Sequence, residues 1–199
     1  THDLDFVLER GGTDKKRGMP AAFIETAWRR YTKHSRNKAQ EIQGAVVPLA
    51  QTYRNAGPFM GAVLAGVFTQ GALTQLRSLG FTVLYFPYES VVAVFRQAGI
   101  DAAFTEATPD AEFQNKVNAY EKLSGRARKA LAQNLLKAHK GEVDKFVNAL
   151  TAAVSRQIDR IIVLPLHGQT VEVTTIDDAV KFIQDYDASG GGGPVERYE

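Results

Sequence analysis

The sequence predicts an α/β fold: a mixed central sheet with flanking helices, followed by a helical region and a small hairpin-and-helix appendage. Three observations carry this. Two strand-like runs, Leu4–Leu8 and Ala21–Trp28, lie close together across a polar turn. A near-continuous apolar run, Pro58–Phe68 (PFMGAVLAGVF), is separated from a second, Phe81–Phe86 (FTVLYF), by a short helical segment. Beyond Thr105 the apolar spacing changes to the three-and-four pattern of amphipathic helices.

Taken in order, Leu4, Phe6 and Leu8 alternate with Asp5, Val7 and Glu9, the period-two signature of a strand that puts Asp5 and Glu9 on one face. Gly11-Gly12 breaks it. In the second strand Phe23, Glu25 and Ala27 share a face, with Ile24, Thr26 and Trp28 on the other. Two strands so close in sequence imply an antiparallel hairpin. Ser35 is an N-cap for a helix over Asn37–Tyr53, whose apolar stripe is Ile42, Ala45, Val46, Leu49 and Tyr53. Pro48 should kink that helix or mark a break. Pro58–Phe68 reads as a buried central strand. Gln70–Ser78 is a short helix stopped by Gly80, so strand, helix and strand imply a right-handed parallel crossover. Tyr88–Ala98 is a further helix.

The helical region comprises Asp110–Leu123, Gly125–His139 and Glu142–Gln157. Ile158–Leu166 and Thr170–Thr174 form a hairpin around His167-Gly168-Gln169, and Asp177–Asp187 is a last helix capped near Thr175 or Asp177. Ser189–Gly193 reads as a glycine linker before the start of a strand at Val195–Glu199. The expected organisation is therefore 1–108 as a core, 109–188 as helices plus hairpin and helix, and 189–199 as linker and truncated strand. Both ends read as cut.

Composition bounds the chemistry. The 199 residues, 44% hydrophobic and 23% charged, suit one core with an appendage. The absence of cysteine excludes a disulfide framework, a thiolate zinc site and a cysteine nucleophile, and fits a reducing, cytoplasmic setting. His2, His34, His139 and His167 lack metal-ligand spacing. No signal peptide is expected, and no apolar run is long enough to span a bilayer. Net charge is only +2, but its distribution is uneven. Lys15, Lys16, Arg17, Arg29, Arg30, Lys33, Arg36 and Lys38 are opposed within their own stretch by Glu25 alone, a local field suited to a phosphate backbone. A solvated basic loop is the alternative. Arg126, Arg128, Lys129, Lys137 and Lys140 form a later basic group that lines nucleic acid or faces solvent.

The basic stretch adjoins two acids on neighbouring strands. Mg²⁺ prefers oxygen ligands and usually takes one or two carboxylates, so Asp5 and Glu25 are candidate ligands. Glu25 follows Phe23-Ile24 inside an apolar strand, where an unpaired acid is costly; a buried salt bridge to Arg29 or Lys38 is the competing explanation. Asp5 has its own alternative, a pairing with Arg10 or Lys15. Lys38 lies four residues before Ile42 and so falls on the inward stripe of its helix, an unusual place for a lysine. Trp28 reads as a core or hinge aromatic, and His167 as a turn residue.

The order strand, strand, helix, buried strand, helix, strand, with acids in "LDFVL" and "AAFIETAW", resembles the core of the PD-(D/E)XK nuclease superfamily, which includes most type II restriction endonucleases. The resemblance covers about Asp3 to Phe104. It implies a restriction endonuclease-like core and a magnesium-dependent endonuclease acting on double-stranded DNA, with a two-fold dimer suiting a palindromic site. It implies that Asp5 and Glu25 bind the metal with help from the Thr26 carbonyl. Arg29, Arg30, Lys33 and Arg36 would touch phosphates. The family's lysine, two residues after the second acid, is here Ala27. Lys38, supplied from the helix, is the expected replacement, with Glu41 one turn beyond it as a supporting group. An engineered substitution at Ala27, or a DNA-binding module that has lost catalysis, would account for the same departure, and a repair or structure-selective nuclease shares the same core.

Overall fold

The structure is a computed structural model that describes residues 3–31 and 35–189. Its chain groups into two compact units, Thr1–Ser155 and Arg156–Glu199. The expected linker and final strand beyond Ser189 lie outside the described residues.

The first unit is built on a four-stranded sheet in the order β1-β2-β3-β4, formed by Phe6–Arg10, Met19–Arg29, Phe59–Gly66 and Thr82–Pro87. β1 and β2 are antiparallel, with Phe6 opposite Ile24 and Leu8 opposite Ala22; a register shift after Leu8 leaves Ala21 as a bulge. β2 with β3 and β3 with β4 are parallel, joined by α1 (Ser35–Thr52) and α2 (Gln70–Ser78). The α/β class, the antiparallel hairpin and the parallel crossover from β3 to β4 thus match the expectation, and the parallel pairing of β2 with β3 adds to it. β2 begins two residues earlier than expected, at Met19, and β1 is displaced by two residues to Phe6–Arg10, since the ordered turn extends the pairing at that end; Asp5, expected within the first strand, therefore precedes it. In that turn Thr13 Oγ1 accepts the amides of Lys15 and Lys16, and Glu9 Oε2 accepts the amide of Gly18 at 2.8 Å.

The alternation of apolar positions divides the core between the two faces of the sheet. Phe23, Ala62 and Leu64 point to α1 and α2, where Ala39, Ile42, Val46, Leu73 and Leu76 are buried. Ala22, Ile24, Phe59, Leu84 and Phe86 point to the other face, closed by Phe146. α1 runs unbroken through Pro48, although Pro48 offers no N–H to the Gly44 carbonyl. α3 (Tyr88–Gln97) follows β4, and then come α4 (Asp110–Glu121), α5 (Gly125–Ala138) and α6 (Lys140–Val154).

A boundary was expected near residue 108; the compact unit instead continues to Ser155. The reason lies in α6. Phe146 is buried and meets Phe59 edge-on, with ring centroids 5.5 Å apart at 87°. Gly61 makes room for this ring: a Cβ there would lie 3.0 Å from Phe146 Cζ. Arg10 adds a polar tie, donating from Nη2 to the carbonyls of Ala153 and Val154 at the C-terminus of α6, where the helix dipole favours a cation.

In the second unit β5 (Ile161–Val163) and β6 (Val171–Val173) pair antiparallel, and α7 (Ile176–Asp185) is capped by Thr175, whose Oγ1 accepts the amide of Asp178. Both strands are shorter than expected, because the segments beside His167 leave the ladder. His167 is more than a turn residue. Its amide donates to the Tyr186 hydroxyl at 3.0 Å, the hydroxyl donates back to the His167 carbonyl at 3.1 Å, and the rings lie 5.2 Å apart.

Candidate metal and nucleic-acid site

β1 ends its pairing at Phe6, so the backbone of β2 at Thr26 faces a position where no strand continues. Asp5 fills it. Its Oδ2 accepts the Thr26 amide at 2.7 Å and the Thr26 hydroxyl at 2.8 Å. The neighbouring acid reaches back in turn: Glu25 Oε1 accepts the amide of Asp5 at 3.3 Å. The two acids expected to act together are therefore joined through one residue's backbone, and their carboxyl groups stand no further apart than that contact plus one aspartate side chain.

Their environments differ. Asp5 is exposed, whereas Glu25 is 2% exposed and is the one charged residue in the buried class among the described residues. Strand alternation explains this. Glu25 shares the α1-facing side of β2 with Phe23, over the buried part of α1, while Thr26 points to the opposite side.

The α1 side carries more charge near its N-terminus. Lys38 Nζ lies 3.2 Å from Glu41 Oε2, and Arg29 Nη2 lies 3.7 Å from the same oxygen. The Lys38 side chain is 16% exposed, in keeping with its expected inward position, while that of Glu41 is 54% exposed. Arg29 also donates from Nη1 to the Trp28 carbonyl at 3.0 Å, and its buried Nε has no hydrogen-bond partner among the described residues. Glu41 thus bridges two cations on different elements. The i,i+3 spacing of Lys38 and Glu41 was readable from the sequence; the partnership with Arg29 needed the packing of α1 on β2.

The basic residues expected to meet phosphates are placed differently from one another. Arg36 is exposed in the first turn of α1. Arg30 lies over aromatic rings, 4.5 Å from the centroid of Tyr31, 5.6 Å from Phe104 and 5.8 Å from Phe113. Lys33 lies outside the described residues. Trp28, read as a core or hinge aromatic, is 43% exposed.

The donor chemistry suits a hard cation. Two carboxylates and a backbone carbonyl are oxygen ligands, and Mg²⁺ takes few protein ligands because it keeps waters and substrate phosphates. Among the described residues no group of three or more His, Asp or Glu converges, so a closed zinc-type cage is not formed by them. Among them, too, no helix is long and apolar enough to cross a membrane.

No family model, curated protein or solved structure gives a significant match to this chain.

Proposed function

We propose that the chain is a metal-dependent DNA endonuclease with a restriction endonuclease-like core, acting on double-stranded DNA. The observation that carries this reading is the Glu25–Asp5 contact. A glutamate in the interior of a sheet extends its carboxylate 3.3 Å from the amide of the aspartate that immediately precedes the neighbouring strand. Two carboxylates brought this close, one buried and one exposed, supply the oxygen donors that a hard divalent cation takes.

In this reading Asp5, Glu25 and the Thr26 carbonyl hold Mg²⁺. When bound, the ion supplies a lowered water pKa and charge neutralisation at the phosphate. The protein's own groups do the rest. Lys38, its stem packed at the mouth of α1, presents an ammonium to the attacking water or to the charge that develops on phosphate. Glu41 orients that ammonium together with Arg29. Arg36 and Lys33 hold the DNA backbone, which sets register and affinity but not sequence preference. Asp5 has to turn part of its carboxylate away from Thr26 to serve as a ligand.

A second reading, a nuclease-fold DNA-binding module without catalysis, is favoured by Ala27 at the expected lysine position and by the pairing of Lys38 with Glu41. Incubation of supercoiled plasmid with Mg²⁺, and in parallel with chelator, separates the two. Nicking or linearisation that needs the ion is expected. Discrete fragments from longer DNA would indicate a restriction-type enzyme; structure-selective cutting would indicate a repair-type one. Glu25→Gln should abolish cutting while leaving binding, and Lys38→Met should remove most activity. DNA bound but never cut, under any divalent ion, would favour the binding module.

A further inference from the structure

Trp28 is the chain's single tryptophan, and its exposure has a structural cause. It shares the face of β2 with Thr26, the residue that holds Asp5, and stands about 7 Å further along the strand. The parallel neighbour beneath it is small: Ala65 is its register partner, and Gly66 follows with φ +97°. A Cβ on Gly66 would come within 3.2 Å of Trp28 Cε3, so the indole lies over the end of β3. Its other ring contact is Tyr88, with centroids 6.1 Å apart and planes tilted by 37°.

Tyr88 fixes this arrangement to a wider shelf. Its hydroxyl accepts the amide of Phe104 at 2.7 Å, and the Phe104 ring lies beneath the Arg30 guanidinium. The shelf therefore combines a partly exposed indole, in contact with Gly66 and Tyr88, with an embedded cation. Those are the two components of a single-strand nucleic-acid site: an aromatic face on which any base stacks, and positive charge for the backbone. In a fully paired, unkinked duplex the base faces are stacked on one another, so an exposed indole meets one only where a base is unpaired or the stack is opened.

We propose that Trp28 is a stacking platform for an unpaired base of the DNA that reaches Asp5. The inference rests on the nuclease reading for its substrate, and it narrows that substrate to DNA that exposes or extrudes a base next to Asp5.

The single tryptophan makes the test direct. The full chain, in chelator so that nothing is cut, is titrated with a duplex, the same duplex carrying one extrahelical thymine, and a single-stranded oligonucleotide of equal length. The two probes with unpaired bases should quench Trp28 fluorescence; the paired duplex should not. With end-labelled probes, Trp28→Ala should weaken binding of the unpaired-base probes roughly 5- to 150-fold, the range that base–aromatic stacking supports. Trp28→Phe keeps a ring and should retain most of the affinity. Binding of unpaired-base probes without quenching, or with unchanged affinity in Trp28→Ala, overturns the proposal. If paired duplex is cut once Mg²⁺ replaces the chelator while the unpaired-base probes bind and leave Trp28 silent, the stacking role falls and the nuclease reading stands. If none of the DNAs binds, both fall. The fluorescence arm uses the unaltered chain and does not depend on any variant folding.

Discussion

Truncating Phe146 to alanine tests the joint between the helical region and the sheet. Its ring is 6% exposed, sits edge-on to Phe59, and fills the space left by Gly61. A buried Phe→Ala change costs roughly 3–5 kcal/mol. With a urea m-value of about 2 kcal/mol/M for a domain of this size, the midpoint should fall by about 2 M. Unfolding is followed by far-UV circular dichroism, which reports the helices, and by Trp28 fluorescence, which reports the sheet. The two curves should coincide in both proteins. Gly61→Ala supplies a cross-check. Its Cβ would meet Phe59 Cε1 at 2.8 Å and Phe146 Cζ at 3.0 Å, so it overpacks the normal protein by roughly 1–3 kcal/mol. In the Phe146→Ala background one of those clashes is gone, and the added methyl should cost less, a coupling of at least about 0.5 kcal/mol. A loss below about 1 kcal/mol for Phe146→Ala, strict additivity, or helices that melt while Trp28 stays native would each refute the claim that α6 belongs to the core of the first unit.

Gly66→Ala should destabilise by several kcal/mol, because φ is +97° and the new Cβ would lie 2.1 Å from the Arg29 carbonyl oxygen; denaturation midpoints within about 0.5 M urea of the parent would contradict it. Lys116 donates to Glu112 at 2.8 Å and to the Ala103 carbonyl at 2.6 Å. The hydrogen bond to Glu112 outweighs the opposing effect of burial and, with the charges of Glu112 and Asp101, holds its pKa above the usual 10.5. Its stabilising contribution is then complete below the unfolded lysine's pKa and lost as pH rises through the folded value. Lys116→Met should flatten the alkaline limb of the stability profile, and an unchanged limb would show that the contact contributes nothing. Tyr186→Phe deletes both hydrogen bonds to His167 in the second unit, worth about 1 kcal/mol each. Amide exchange at His167 should speed up, and unaltered protection would remove that clasp from the account.

Much of the fold was legible because its signals are local. α2 falls on Gln70–Ser78 as expected, since Thr69 caps it and Gly80 takes a left-handed φ of +89° at its end. The hairpin of β1 and β2 follows from short separation, and the burial of β3 from its lack of polar residues. The elements whose ends moved are those where pairing partners, not propensity, decide the last residue. β5 and β6 shrink to three residues each because only that much of either segment finds a partner.

The candidate site was less legible. The apolar run around it placed Glu25 in a buried strand, and the helical stripe placed Lys38 inward, and both positions hold. Nothing in the residue order said that Asp5 would bond the amide and hydroxyl of Thr26, because that depends on where β1 stops pairing. Nor could it say that Glu41 would bridge Lys38 and Arg29, which lie on separate elements.

Residue order by itself determined the class of fold, the apolar run that buries Glu25, and the crowding of positive charge beside it, because each follows from the side chains within a single segment. Only the tertiary structure decided that α6 closes the sheet, that Trp28 stays open to solvent, and that the two acids meet through the backbone of Asp5. Those outcomes depend on which segments share a face or an edge, and such contacts are set by packing across long separations that no local pattern encodes.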